Sequence, residues 1–301
     1  ALMAGVRRGG PLLVQEPVYG GTHEICEHVL APLGIEVVRA GIDATVAAAA
    51  RMPAGATIYL EMPANPTNRL VDLPAVREAA PDDAWIVVDA TFATPIGLRT
   101  LALGADLVVH SATKYLAGHH DVIAGVVAGD SAKMEAVWTL RKLFGPVLDP
   151  AAAYRVWRGL ETLELRVRRQ TKNATTLATR LEEHPAVRRV HHLSLESHPD
   201  HALAARLMDL SGVVLSIEVR GDAEGAARVA NAMVCFDRAP SLGGTRSLVT
   251  WPAGVSHIGL SPEERKRSGV SPSMLRLAVG IEPVEALWAD LAQALGEIEA
   301  L

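Results

Sequence analysis

The sequence predicts an α/β protein, with a mostly parallel, doubly wound sheet in its first half and a smaller α+β domain in its second. Two observations carry that expectation. Short apolar runs ending in polar residues alternate with helical stretches from Leu12 to Leu143, at the spacing of successive β-α-β units. From Ala151 the pattern changes to one long helical stretch, followed by a mixed set of strands and helices. A chain of 301 residues can hold two domains with separate cores, and the boundary is expected at 158/159.

The elements follow in order. Ala1 to Gly10 reads as the last turns of a helix closed by glycine, with no capping residue before it, so a preceding segment is expected. Leu12 to Gln15 is a buried strand, ended by Pro17 and the Tyr19-Gly-Gly-Thr22 turn, and Thr22 is expected to cap a helix running to Leu30. Gly34 to Val38 is a second strand, Ala44 to Arg51 an alanine-rich helix, and Thr57 to Glu61 a third strand. Pro63, Asn65 and Pro66 make a rigid loop after it, and Leu73 to Ala80 is helical. Trp85 to Asp89 and the run beginning at Leu107 are further strands, separated by a helical turn near Leu101. Gly125 to Gly129 is a strand and Lys133 to Leu143 a helix. Leu160, Leu163, Val167, Ala174, Leu177 and Leu181 keep helical spacing through one helix from Ala151 to Glu183. Beyond it, strands are expected at 187–190, 212–219, 247–249 and 274–279, with helices at 201–208, 224–233 and 283–295.

Composition narrows the class of function. A net charge of -5, scattered basic residues and 4% aromatics argue against a nucleic-acid surface. The run Arg166-Val-Arg-Arg169 is read as a solvated helix face. No apolar stretch has the length of a membrane span, and no secretory pattern is present. Two cysteines, Cys26 and Cys235, suggest neither a disulfide framework nor a metal pair, so a reduced, cytoplasmic setting is expected.

The chemistry centres on Leu107-Val-Val-His-Ser-Ala-Thr-Lys114, an apolar strand running into two hydroxyl residues and a lysine. A lysine is costly inside a protein unless its amine is used, and Ser111 and Thr113 beside it are donors suited to an anion. Asp89 ends another strand 25 residues earlier, so an acid and an amine are expected at strand ends. Pyridoxal phosphate needs a lysine amine, a carboxylate for its ring nitrogen and donors for its phosphate. Tyr19, at a third strand end, could stack on the ring. Either charged residue alone reads as an ordinary turn residue or solvated lysine, and only their joint placement points to the cofactor. No glycine-rich phosphate loop and no G-x-S-x-G elbow is present, so Ser241 is read as a loop residue. His191, His192, His198 and His201 cluster in sequence, and His110, His119 and His120 flank Lys114. No HExxH pair or cysteine partner supports a metal site, and none is expected.

At this point the chain resembles the pyridoxal-phosphate enzymes of cysteine and methionine metabolism, which include cystathionine γ-synthase, cystathionine γ-lyase and methionine γ-lyase. The resemblance rests on Pro17-Val-Tyr-Gly-Gly-Thr22, Glu61-Met-Pro-Ala-Asn-Pro66, Asp89-Ala-Thr-Phe-Ala-Thr-Pro95, Gly104 through His119, Arg158-Gly-Leu-Glu-Thr-Leu163, Ser241-Leu-Gly-Gly244 and Leu275-Arg-Leu-Ala-Val-Gly-Ile-Glu282. It implies a type I pyridoxal-phosphate fold, with a cofactor domain over 1–158, a C-terminal domain over 159–301, and a homotetramer built as a dimer of dimers. By motif match, Lys114 and Tyr19 would be catalytic. Lys114 would join the cofactor and shuttle protons, Asp89 would pair with the ring nitrogen and Tyr19 would stack on the ring. Ser111 and Thr113 would hold the phosphate, and Asn65 would sit near the ring hydroxyl. Arg276 would grip the α-carboxylate of a small amino-acid substrate, helped by Ser241.

Three departures accompany the resemblance. Relatives continue upstream, where they carry a Ser-Gly-Met-type phosphate loop together with a tyrosine and an arginine that reach a neighbouring subunit's cofactor. An incomplete, non-catalytic homologue is therefore an alternative reading. Relatives often place an arginine after Tyr-Gly-Gly-Thr and a glutamate after Ser-Leu-Gly-Gly, whereas this chain has Glu24 and Arg246. The two are expected to form a charge pair facing the distal end of substrate, against the alternative that both are solvated. Ala90 replaces an asparagine, and Gly21 stands where methionine γ-lyases have a cysteine, which argues against that activity. The expected reaction is γ-elimination or γ-replacement on cystathionine or an activated homoserine, with β-elimination from cystathionine or cysteine as the second reading. Synthase and lyase share these residues, so the sequence leaves that choice open.

Overall fold

The computed structural model describes residues 1–6, 9–255, 265 and 269–299. Arg7 and Arg8, part of the stretch read as a helix end, lie outside them. The chain forms two compact units. The first comprises Ala1–Asn65, Arg69–Ala112 and Ile123–Tyr154. The second comprises Pro66–Asn68, Thr113–Val122 and Arg155–Leu301.

The first unit is built on a six-stranded sheet: β1 (Leu12–Glu16), β2 (Val37–Gly41), β3 (Thr57–Glu61), β4 (Trp85–Asp89), β5 (Leu107–Ser111) and β6 (Gly125–Gly129). Its order is β2-β1-β3-β4-β5-β6, parallel throughout except for the antiparallel β6. Every residue of β3 is buried, as expected of a parallel strand covered on both faces, which explains why its interior, Ile58-Tyr-Leu60, does not alternate with polar residues. The helices are α1 (Leu2–Val6), α2 (Gly20–Ile25), α3 (Thr45–Ala49), α4 (Leu73–Ala79), α5 (Thr94–Gly97) and α6 (Ser131–Phe144). Val6, Leu12, Val14, Leu30, Tyr59, Val87 and Leu107 share one core cluster.

Two expectations are corrected here. The second strand starts at Val37 because Gly34, at φ 80°, closes a short 3-10 turn instead of opening the strand. Thr22 does not cap the helix. α2 begins at Gly20, and the Thr22 hydroxyl turns inward to within 3.4 Å of the Tyr59 hydroxyl.

Helix α7 (Pro150–Leu160) carries the chain from the first unit into the second, and α8 (Leu163–Glu182) follows. The expected single helix from Ala151 to Glu183 is thus two. Arg166 explains the break. It is 5% exposed, not solvated, and its guanidinium donates to the Thr162 hydroxyl (3.1 Å), the Tyr115 carbonyl (2.9 Å) and the Gly159 carbonyl (2.7 Å). The carbonyl of Gly159 is thereby turned to a side chain, and the helical ladder restarts beyond Thr162. Gly118, at φ +77°, leaves room for this arginine, since a Cβ there would stand 2.1 Å from its Nη1.

The second unit holds β7 (Val187–His191), β8 (Val214–Val219), β9 (Asp237–Arg238), β10 (Leu248–Thr250) and β11 (Met274–Ala278), in the order β7-β8-β11-β10-β9. The sheet is antiparallel apart from the β9-β10 pair. Helices α8, α9 (His201–Leu207), α10 (Ala223–Ala232) and α11 (Val284–Glu299) complete the unit. Leu177, Leu181, Leu215, Ile217, Val229, Leu275, Leu277, Leu287 and Leu291 form its core.

Candidate functional site

In the first unit, parallel β1 to β5 end on one edge of the sheet. The chain reverses its winding direction between β1 and β3, which is where open α/β sheets place ligand-contacting loops. The loop after β1 carries Tyr19 and the loop after β3 carries Asn65, while Asp89 and Ser111 are the last residues of β4 and β5. Asp89 accepts the Thr91 N–H on Oδ1 at 2.9 Å and the Tyr59 hydroxyl on Oδ2 at 3.3 Å. Burial, and then the charges of Asp89 and Glu61, push the Tyr59 phenol well above its ordinary pKa, so it remains a donor to Asp89. The Ser111 N–H donates to the Thr91 hydroxyl at 2.9 Å, linking the ends of β4 and β5. His110 is buried beside them, and burial lowers its pKa, favouring the neutral ring.

The sequence reading did not single out Glu61, the last residue of β3, which is 5% exposed. Its Oε2 accepts the Tyr19 N–H at 2.7 Å and its Oε1 the Asn65 N–H at 2.9 Å. Its own N–H donates to Oε1 of the fully buried Gln15 at 3.2 Å. The signal was available, because Glu61 is an acid closing an apolar strand just as Asp89 is. Tyr19 is itself exposed, and a Cβ at Gly21 would stand 2.7 Å from its Cε1, so glycine at 21 lets the ring fold over the start of α2. Glu24 is exposed on the same helix.

In the second unit the Lys114 amine donates to the Ser241 hydroxyl at 2.8 Å. Burial, then the nearby Arg276 guanidinium, lower the lysine pKa. Gly243, at φ +86°, makes this approach possible, since a Cβ there would lie 2.7 Å from the Lys114 carbonyl carbon. Arg276 lies on β11, 3% exposed, with Nη2 donating to the carbonyls of Pro240 (3.0 Å) and Ser241 (3.1 Å). Lys114, Ser241 and Arg276 therefore form one local cluster. Thr113 precedes it, half-buried in the turn after β5. Arg246, expected opposite Glu24, has its ion pair with Asp237 at 3.0 Å.

In this unit His191 bonds to Glu218, His192 to Ser194 and His198 to the Thr67 carbonyl. Among the described residues, no group of three or more His, Cys, Asp or Glu is placed to hold a metal ion. No described helix is long and apolar enough to cross a membrane. The donor set suits pyridoxal phosphate chemically. The second unit offers an amine whose proton is loosened by burial and a neighbouring cation, and the first, by itself, a carboxylate oriented by two hydrogen bonds at a strand end.

Comparison with known proteins bears on the same point. The family model of the Cys/Met metabolism PLP-dependent enzymes matches residues 1–296. The chain is 40% identical to the L-methionine γ-lyase of Pseudomonas deceptionensis over 300 residues, covering 96% of this chain and 74% of that one. It is 39% identical to the chloroplastic cystathionine γ-synthase 1 of Arabidopsis thaliana, covering 99% of this chain and 53% of that one. The crystal structure of cystathionine γ-synthase from Xanthomonas oryzae pv. oryzae in complex with cystathionine matches with a TM-score of 0.92 at 35% identity, over 99% of this chain and 80% of that one. Agreement in both sequence and fold across nearly the whole chain means that it has the type I fold and belongs to the Cys/Met metabolism family of enzymes, whose cofactor is pyridoxal phosphate.

Proposed function

We propose that the chain catalyses γ-elimination or γ-replacement on cystathionine or an activated homoserine. The observation that carries this reading is the Lys114 amine, hydrogen-bonded to Ser241 and depressed in pKa by burial and by Arg276. Both effects favour the unprotonated amine, the form that can act as a base. Bound pyridoxal phosphate supplies an electron sink for negative charge developing next to the substrate amine. Lys114 would take the proton from the α-carbon, pass it to the cofactor side of the bound substrate, and, neutral again, take one from the β-carbon, as the γ-reaction requires. Ser241 holds the amine between these transfers. Asp89 would keep the ring nitrogen protonated, Tyr19 would stack on the ring, Asn65 would serve the ring hydroxyl, and Ser111 and Thr113 would hold the phosphate. Arg276 receives the substrate carboxylate, while Glu24 and Arg246 face its distal group. Residues 1–158 serve as the cofactor domain and 159–301 as the C-terminal domain.

We also infer a homo-oligomer, a dimer of dimers. Trp138, Leu143, Phe144 and Val147, on α6 and just after it, are all more than half exposed, an apolar concentration unusual for a solvated helix end. Both cysteines are free, which suits a cytoplasmic setting.

The test begins with a titration of purified chain by pyridoxal phosphate. A visible absorption band lost in Lys114→Ala is expected, and no band at saturating cofactor would indicate a non-catalytic homologue instead. Incubation with cystathionine should then release 2-oxobutyrate, whereas pyruvate would establish the β-cleaving reading. Suppression of oxoacid by an added thiol would mark γ-replacement.

A further inference from the structure

We propose that Glu61 is a positioning residue that locks the Tyr19 loop and the Asn65 loop into one fixed geometry, and so sets how the cofactor ring is held. The backbone ladder between β1 and β3 runs from Leu12–Thr57 to Val14–Tyr59 and stops there. Beyond it, side chains continue the connection. Gln15 accepts the Glu61 N–H, and the Glu61 carboxylate spans the two loops, one oxygen to each loop amide.

The chemistry of the residue matches that task. A buried carboxylate is expensive and is retained only when its oxygens are well bonded. Both partners here are backbone N–H donors, so the bridge needs an acceptor on each side, and only an ionised acid presents two. A glutamine would turn its amino group toward one of them. The bonds are charge-assisted and short, and they act on main chain, so they fix loop position independently of side-chain rotamers. Tyr19 is held from a second direction, because its carbonyl accepts the N–H groups of Thr22 and His23 in the first turn of α2. Tyr59, two residues before Glu61 and on the same face of β3, contacts both Thr22 and Asp89. One face of β3 thus ties together the residues assigned to the ring face, the ring hydroxyl and the ring nitrogen.

This inference rests on the cofactor roles proposed above for Tyr19 and Asn65, and the experiment separates the two. Full-length Glu61→Gln and Glu61→Asp are compared with wild type. In the apoprotein, hydrogen exchange followed by mass spectrometry should show peptides containing Tyr19 and Asn65 exchanging at least tenfold faster in Glu61→Gln, with peptides spanning β4 and β5 unchanged. After addition of pyridoxal phosphate, the Lys114-dependent band should still form. Its visible circular dichroism per unit absorbance should fall by at least half, and the cofactor dissociation constant should rise about tenfold. Glu61→Asp keeps both acceptor oxygens on a stem one methylene shorter and should fall between the two. It supplies the same readouts if Glu61→Gln does not fold. Exchange unchanged within twofold at both peptides overturns the proposal, as does loosened exchange with dichroism and affinity unchanged. Loss of protection across all strands in both variants would show a merely structural role and also overturn it. If wild type binds no pyridoxal phosphate, the cofactor reading and the ring-holding role both fall, while the exchange measurement still decides whether Glu61 couples the loops.

Discussion

His192 illustrates how one buried side chain links sequence to solution behaviour. It is wholly inaccessible, bonded to the Ser194 hydroxyl at 2.7 Å and the Gly212 carbonyl at 3.3 Å, and burial lowers its pKa from 6.5 to about 4. A folded-state pKa below the unfolded value means that the unfolded chain takes up the proton first as pH falls. The stability it contributes is therefore intact above about 6.5 and is lost progressively down to about 4. The full loss is about 3 kcal/mol, and about 2 kcal/mol of it is gone by pH 5. Urea unfolding at pH 7.5 and pH 5 should show this drop in wild type and a clearly smaller one in His192→Asn. Equal drops in both proteins would contradict the assignment. The sequence showed only a run of histidines that resembled a loose metal set. Their separate hydrogen-bond partners come from residues as far apart in the chain as Thr67 and Gly212, which periodicity does not encode.

Among the secondary-structure elements, the break between α7 and α8 is the clearest case of tertiary contacts overriding a local pattern. Apolar positions stay in helical phase across Leu160 and Leu163, so the sequence reads as one helix. The three hydrogen bonds of Arg166 decide otherwise, and one of them holds the carbonyl of Tyr115, the residue after Lys114. Arg166→Met should destabilise the protein by about 3 kcal/mol in urea unfolding, because two buried carbonyls lose a charged donor at once. Arg166→Lys should restore only part of this, since an ammonium cannot fork to two carbonyls and a hydroxyl as a guanidinium does. Near-wild-type stability in Arg166→Met would show that water replaces the guanidinium at no cost.

For the whole molecule, the question is what covers the apolar end of α6. Leu143, Phe144 and Val147 are each more than 70% exposed, next to the glycine that closes the helix. If they form a subunit contact, wild type sediments as an oligomer at micromolar concentration and Phe144→Lys shifts it toward smaller species. A wild-type protein that sediments as a single chain would remove the inference. In sequence the segment reads simply as a helix from Lys133 to Leu143, because exposure of an apolar residue is a property of the folded surface and not of spacing.

The residue pattern alone was enough to establish the alternation of strands and helices, the ordered family motifs, and an acid and a lysine at or just beyond strand ends. These are local signals, set by strand period, glycine and proline positions, and an acid or lysine at a strand end. Tertiary structure decided the inward turn of Thr22, the burial of Arg166, the pairing of Arg246 with Asp237 and the bridge made by Glu61. Each depends on which groups distant in sequence reach hydrogen-bonding range, and a buried polar group takes whichever partner repays its desolvation.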